Sequence, residues 1–341
     1  MKKNILSNRR TQLLLAATLI FIMMSITRPN VFLTPLSIRS ILVQISDIGF
    51  FAFAMAIAMI SRGINFSIVN LANLAAIVNG IIILEWVTEY TTTVQIYFII
   101  LICVAVSIVI GILGGLINGF LIANLKIPEI LATLGTMNLF LGIAMIITGG
   151  TPMIGFPQEL LRMGSGNFVG VPIPFIIFLM VGAILYFILH KTSYGSQLRL
   201  YGNNRNAALY SGINNKVVIY KTYILSCIIA ASAGLMIVAR TNAATVDFGA
   251  PIVLTTLLIA VLSGIRPTGG IGNVTNLFLA MLVIQLLNTG LTLLRVSSFV
   301  REMIPATLLV AIISLEYYMQ VRSERKLNKI ALEKSGTIKK D

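Results

Sequence analysis

The chain has 341 residues, of which 57% are hydrophobic and only 11% are charged. Soluble domains carry about a quarter charged residues, so this composition excludes a soluble protein and indicates a polytopic membrane protein. The formal net charge of +14 does not predict nucleic-acid binding, because in a membrane protein the position of basic residues matters more than their number.

The N-terminal segment has the basic residues and the apolar run that are typical of a signal peptide. Lys2, Lys3, Arg9 and Arg10 precede the run LLLAATLIFIMM. No small-x-small cleavage site follows this run, and many more apolar segments come after it. We therefore predict an uncleaved first transmembrane helix.

Runs of about 17–25 mainly apolar residues are long enough to cross a bilayer as helices. Such runs predict an all-α polytopic fold with about ten transmembrane helices. They cover residues 12–27, 42–61, 65–84, 94–123, 129–148, 172–190, 220–240, 251–264, 273–294 and 301–320. The eighth run is short and the fourth is long, which predicts a tilted or broken helix at these places.

The distribution of basic residues predicts the orientation of the helices. If the N-terminus is cytoplasmic, 19 of the 25 Lys and Arg residues lie on the cytoplasmic side and six on the other. Cytoplasmic loops carry such an excess, so we expect both termini in the cytoplasm. A transmembrane domain would cover residues 1–320, with a basic cytoplasmic loop at 191–219. A basic cytoplasmic tail would follow at 321–341 and contact anionic membrane lipid.

The sequence offers no set of residues for catalysis or for binding a metal. It contains no GxxxxGK[ST] phosphate-binding loop, no HExxH and no Ser/His/Asp set. Cys103 and Cys227 each lie inside an apolar run, far from the spacing of a metal site. We therefore predict that the chain is not an enzyme and binds neither a metal nor a cofactor.

The acidic residues fall at or near the ends of the predicted spans or in loops. They include Asp47, Glu85, Glu89, Glu129, Glu159, Asp247 and Glu302. A carrier driven by protons or sodium ions usually keeps an ionisable residue within the membrane. Transport by this chain should therefore draw its energy from another source, although an ion-coupled secondary carrier stays an alternative.

Uncharged polar residues occur within the predicted spans. An amide in hydrocarbon costs free energy unless it is hydrogen-bonded, so these side chains should face the interior of the bundle. There they either join helices or line a path for a neutral, hydroxyl-rich solute. The path candidates are Asn65, Asn70, Asn73, Asn118, Asn138 and Asn288, with Asn65 and Asn70 foremost.

Glycines at a four-residue spacing mark one face of the fourth predicted span. Gly111, Gly115 and Gly119 form this small-xxx-small pattern, which lets two helices approach closely. Helix packing is the expected role, with dimerisation as the minor alternative.

The segment YGNNRNAALYSGINN, residues 201–215, is polar and lies in the predicted cytoplasmic loop. Asn203 or Asn204 can cap the start of a helix, and Gly212 can end it, with Ile213 supplying the usual hydrophobic contact. These signals predict a helix over 205–211 at the membrane surface. It could insert into a groove of a partner protein or lie on lipid.

Three blocks of sequence resemble the permeases of ribose-type sugar ABC importers, whose close relatives import autoinducer-2. They are GNNRNAALYSGINNKVVIYKTYILSCIIAASAG (202–234), GGLINGFLIANLKIPEILATLGTMNLFLGIAMIITGGTP (114–152) and SGIRPTGGIGN (263–273). The chain departs from the family pattern at four places. Asn65 replaces an acidic residue, Asn70 and Cys227 each replace a glycine, and residues 251–257 lack a glutamate.

The resemblance implies a permease subunit in the inner membrane that imports a sugar or sugar-like solute by ATP-driven alternating access. Its implied partners are a second permease subunit in a homodimer or heterodimer, ATPase subunits that bind the ATP, and an extracytoplasmic solute-binding protein. A nucleoside-type ABC permease is the related alternative. The predicted loop helix would then couple the chain to the ATPase. The residues implied in coupling are Asn204, Arg205, Ala207, Ala208, Leu209, Gly212 and Ile213.

Overall fold

The computed structural model describes residues 9–88, 90–249, 251–314 and 318. The predicted basic tail at 321–341 lies outside the described residues. In the described ranges the chain is almost entirely helical, and its four strands have two residues each.

The helices are α1 (Arg9–Thr27), α2 (Pro29–Phe32), α3 (Pro35–Ile60), α4 (Ile68–Trp86), α5 (Thr93–Ala123), α6 (Glu129–Thr148), α7 (Gln158–Ser165), α8 (Ile173–Lys191), α9 (Ser193–Asn203), α10 (Arg205–Tyr210), α11 (Asn215–Thr241), α12 (Ile252–Leu262), α13 (Val274–Leu293) and α14 (298–314). The strands are β1 (Met153–Ile154), β2 (Asn167–Phe168), β3 (Val171–Pro172) and β4 (Ala243–Ala244). They form two antiparallel pairs, β1 with β4 and β2 with β3.

Eight helices of the described part are long and apolar enough to cross a membrane: α1, α3, α4, α5, α6, α8, α11 and α13. This confirms an all-α polytopic membrane protein. The shorter helices α12 and α14 occupy the other two predicted positions, so the number of ten crossings stays a prediction, as does the cytoplasmic placement of the termini. The fourth predicted span, α5, is one continuous helix of 31 residues, and α12 has only 11.

Local capping chemistry sets several helix boundaries. Thr92 and Gln95 form a capping box at the start of α5, in which side chains bond the backbone N–H groups that a helix start leaves free. Thr34 caps α3 ahead of a proline, and Asn273 caps α13. These polar residues mark where apolar runs become helices.

Helix α11 lies at the centre of the bundle and packs against α3, α4 and α5. Its contact with α5 runs along the predicted glycine face. A Cβ atom added to Gly111 or Gly115 would come within 3.0 Å of the backbone of α11, and one added to Gly119 would meet the ring of Tyr220. The two helices can pack this closely only because these positions lack side chains.

Two ends of the bundle can be distinguished by what lies there. The basic end carries α9, α10 and the start of α11, and the charge distribution predicts that it is cytoplasmic. The cap end carries α7 and both strand pairs. There Gly164 of α7 packs directly on the backbone at Ala239 near the end of α11.

An ion pair joins α3 to α11 toward the cap end. The Nε of Arg240 lies 2.7 Å from a carboxylate oxygen of Asp47. Asp47 is in the middle of α3, whereas Arg240 is the second-last residue of α11, so the position of this carboxylate relative to the membrane stays a prediction. Helix α3 begins at Pro35, seven residues before the predicted span. Pairing of this kind is expected for a carboxylate within a bundle of apolar helices.

Candidate functional site

The segment α9–α10 projects from the basic end between α8 and α11. A single residue, Asn204, separates the two helices. Its side-chain oxygen accepts hydrogen bonds from the backbone N–H groups of Asn206 and Ala207, at 3.0 and 3.1 Å. Asn204 therefore both ends α9 and caps α10.

The end of α10 follows the pattern expected for Gly212 and Ile213. Gly212 has a φ of +77°, and the backbone N–H of Ile213 donates to the Ala208 carbonyl at 3.0 Å. This is the bond of a Schellman motif, which satisfies carbonyls that the helix end leaves free. The helix ends at Tyr210, one residue before the predicted end.

Helix α10 presents most of its surface outward. Leu209 is 59% exposed and Tyr210 is 90% exposed, whereas Ala208 is buried in the chain's own core. Ala207 is also exposed. The two alanines of the loop therefore differ, because only Ala207 is available to a partner protein.

Arg205 connects α10 to the start of α6. Its guanidinium forms an ion pair with Glu129, the first residue of α6, and also lies 5.2 Å from the centroid of the Tyr201 ring. Burial raises the pKa of the Tyr201 phenol, and the charge of Arg205 partly opposes this rise. The phenol therefore stays neutral, and its ring supports the cation.

A cavity of about 360 Å³ lies between α4, α6 and α12. Its apolar walls come largely from α6 and α12, and its polar side chains are Asn70, Asn138 and Asp247. The lining residues are Phe66, Val69, Asn70, Leu134, Met137, Asn138, Leu141, Asp247, Val253 and Leu254. The cavity is the strongest candidate for a solute path among the described residues, because it combines a few polar groups with apolar walls.

Two of the six predicted path residues line this cavity. The side-chain nitrogen of Asn70 donates to the Met137 carbonyl at 3.0 Å, so Asn70 joins α4 to α6 at the wall. Asn138 is exposed and donates to the Leu134 carbonyl of its own helix at 3.3 Å. Sequence reasoning missed Asp247 as a lining residue, since it could be assigned only to a short loop.

Asn65 and Asn118 lie fully buried behind the cavity wall in a chain of hydrogen bonds. Asn65 donates to Ser226 at 3.0 Å and accepts from the Ser67 hydroxyl at 2.7 Å. Asn118 donates to Ser67 at 2.9 Å and accepts from Thr136 at 2.6 Å. These bonds connect α5, α6, α11 and the segment before α4, so both asparagines join helices in this structure.

The remaining two predicted path residues also lie outside the cavity lining. Asn73 donates to the carbonyls of Val246 and Phe248, both at 3.0 Å, and so holds the segment that carries Asp247. Asn288 lines a separate polar pocket of about 240 Å³ together with Gln44 and other residues of α3, α12, α13 and α14.

Long apolar helices around a cavity, with a capped and exposed helix at one end, are the architecture of a multi-pass membrane protein. A family model described as a branched-chain amino acid transport system permease component matches residues 37–313. The chain therefore belongs to this family of permease components, which are subunits of inner-membrane transporters and are not enzymes.

Three relatives illustrate the range of the family. The ribose import permease protein of Bacillus subtilis is 33% identical over 288 residues, which cover 82% of this chain and 84% of the relative. The D-allose transport system permease protein of Escherichia coli is 27% identical, covering 84% and 85%. The autoinducer 2 import system permease protein of Enterobacter sp. is 28% identical, covering 90% and 92%.

Proposed function

We propose that the chain is the transmembrane subunit of an ATP-driven importer for a sugar or sugar-like solute of the pentose, hexose or autoinducer-2 type. It moves the solute by alternating access and carries out no covalent chemistry. The relatives named above are permeases for ribose import, D-allose transport and autoinducer 2 import. This favours the sugar class over the nucleoside-type permease and the ion-coupled carrier.

The observation that carries the proposal is the exposed helix α10. A six-residue helix that is capped at both ends and turns Leu209 and Tyr210 outward suits a groove of a partner protein. The sequence of this chain contains no phosphate-binding loop, so ATP would be bound by a partner. We propose that this partner is an ATPase subunit. A second permease subunit, identical or different, and a solute-binding protein outside the membrane complete the importer.

The cavity agrees with passage of a neutral solute. Its volume of about 360 Å³ falls within the range of small-molecule sites, roughly 300–1,000 Å³. The amides of Asn70 and Asn138 and the carboxylate of Asp247 can bond hydroxyl groups, while the mainly apolar wall gives few further bonds that would hold the solute. Such a lining favours transfer over tight binding.

Uptake into proteoliposomes tests the energy source. The chain would be purified with its ATPase and binding protein and supplied with labelled D-ribose and D-allose. We expect uptake only when ATP is present on the ATPase side, and no effect of an uncoupler. Uptake that survives ATP depletion and stops with an uncoupler would refute the proposal in favour of an ion-coupled carrier.

The docking role of α10 is tested by a matched pair of exposed leucines. Leu209 lies on α10 and is 59% exposed, and Leu200 lies on α9 and is 51% exposed. Loss of one apolar anchor of about 2 kcal/mol weakens binding roughly thirtyfold. We therefore expect Leu209→Asp to abolish co-purification of the ATPase and Leu200→Asp to leave it intact. Equal retention of the ATPase by both variants would contradict the docking role.

A further inference from the structure

Three backbone segments come into direct contact at the basic end. They are the end of α9 at Gly202, the end of α3 at Ile60, and the loop 263–273 between α12 and α13 at Gly269 and Gly270. We call this contact the glycine junction. At its centre the backbone N–H of Gly270 donates to the Ile60 carbonyl at 2.9 Å.

The glycines of the junction cannot carry a side chain in this arrangement. A Cβ atom added to Gly202 would come within 3.0 Å of the Ile60 oxygen and of the Gly270 nitrogen, which are the two atoms of that hydrogen bond. A Cβ atom added to Gly270, where φ is +80°, would press on Asn203. Either substitution would therefore open the junction.

Arg62 holds the loop from a second direction. Its Nε donates to the Thr268 carbonyl at 2.6 Å, and its own φ is +76°, a conformation that is uncommon for a residue with a side chain. Gly269 packs against its backbone and side chain. The loop 263–273 is thus fixed to the end of α3 by two separate hydrogen bonds.

The glycine junction connects α10 to one wall of the cavity. On one side, only Asn204 separates α10 from α9, which ends beside Gly202. On the other side, the loop continues from α12, which carries Leu254 in the cavity lining. Backbone bonds from Gly264 and Ile265 to the last turn of α12 keep that connection tight.

We propose that Gly202 and Gly270 are positioning residues that transmit movement of α10 to α12, while the Arg205–Glu129 ion pair transmits it to α6. The proposal rests on the proposed function, because it assigns a route to a movement that the ATPase imposes. Two routes leave the same helix and end on two different walls of the cavity. A solute path that must open and close as one unit needs both walls to move together.

Single cysteines can report on each wall separately. Leu254→Cys places a reporter on α12, and Asn138→Cys places one on α6. The native Cys103 and Cys227 are buried and give little background. In the reconstituted complex with its ATPase, the rate of alkylation by a maleimide is measured with and without ATP plus vanadate. We expect both rates to change by at least about fivefold in the otherwise unaltered chain, which is the scale of a typical coupling energy.

The variants should separate the two routes. In Gly202→Ala or Gly270→Ala, we expect the Leu254→Cys reporter to lose its response and the Asn138→Cys reporter to keep it. In Glu129→Gln, which leaves α10 itself unchanged, the reverse is expected. A chain that is merely misfolded loses both responses, so the split is a result that a purely structural role would not give.

Matched glycines control for the substitution itself. Gly142→Ala corresponds to Gly202→Ala, because both are helical glycines and nothing lies within 4 Å of a Cβ added to Gly142. Gly170→Ala corresponds to Gly270→Ala, because the two φ values are +82° and +80° and the space at Gly170 is open. Both controls should keep both reporter responses.

The outcomes that overturn the proposal are distinct from failure of the proposed function. Joint loss or joint retention of the two responses in assembled Gly202→Ala overturns the two-route proposal. If Gly202→Ala does not assemble, Arg62→Gln decides by the same readout, because it removes only an exposed side-chain contact. If no ATPase co-purifies with the unaltered chain, or neither reporter responds in it, the proposed function fails and this proposal with it.

Discussion

Replacing Asn118 and Asn138 separates asparagines that join helices from those that line the cavity. Asn118 makes side-chain hydrogen bonds to Ser67 and Thr136 at 2.9 and 2.6 Å, lies 3.7 Å from the Cys227 sulfur, and is fully buried. Hydrogen bonds between membrane helices contribute about 0.6 kcal/mol on average and up to about 1.7 kcal/mol. Asn118→Ala should therefore lower the free energy of unfolding by roughly 1–3 kcal/mol.

Asn138→Ala is the matched control, since Asn138 is exposed and bonds only within its own helix among the described residues. Its free energy of unfolding should stay within about 0.5 kcal/mol of the unaltered chain, while the KM for uptake rises. Unfolding in detergent micelles measures the first quantity, and proteoliposome uptake measures the second. If Asn118→Ala changed the KM without loss of stability, the assignment of Asn118 to the wall's support would be refuted.

Three further outcomes are expected. Gly115→Ala should lower the free energy of unfolding by about 1–3 kcal/mol through overpacking. Gly142→Ala, with open space around the added methyl group, should raise it by roughly 0.5–1 kcal/mol. Equal unfolding midpoints of the two variants would contradict the close α5–α11 contact. Tyr223→Phe should leave the free energy of unfolding unchanged or raise it by up to about 1 kcal/mol, because the buried hydroxyl has no hydrogen-bond partner among the described residues. Clear destabilisation in a thermal melt would reveal a partner. Asn70→Gly should change the relative uptake of D-ribose and D-allose while ATP dependence is kept, and an unchanged ratio would remove Asn70 from the set of selective residues.

The parts of the fold that depend on local chemistry could be predicted from the sequence. The length of apolar runs determines where helices can span a bilayer, and each predicted run corresponds to a helix. The limits of α10 also followed from local signals, since Asn204 and Gly212 act on backbone groups a few residues away. The start of α3 was predicted seven residues too late, because the cap at Thr34 and the proline after it were not read as a helix start.

Apart from the glycine face of α5, the rotation of the helices could not be predicted in the same way. The spans are apolar nearly all round, so the sequence has no polar face that would show which side points to the interior. Asn65 and Asn70 are five residues apart, yet one is fully buried in a hydrogen-bonded chain and the other faces the cavity. Tertiary packing makes that distinction, since it decides which amide finds a partner.

Three departures from the family pattern that the sequence resembles can be divided in the same way, into residues buried by packing and a residue that faces the cavity. Asn65 and Cys227 are two of them, and the structure brings them together, because the side-chain nitrogen of Asn65 lies 3.6 Å from the Cys227 sulfur. These two departures therefore contact each other, and neither residue lines the cavity. Asn70, in contrast, replaces a glycine within the wall and adds an amide that bonds Met137 across to α6. Of these three departures, only Asn70 lines the cavity that we propose as the solute path. If that proposal holds, solute selectivity that originates in this subunit should depend on Asn70 rather than on the Asn65–Cys227 pair.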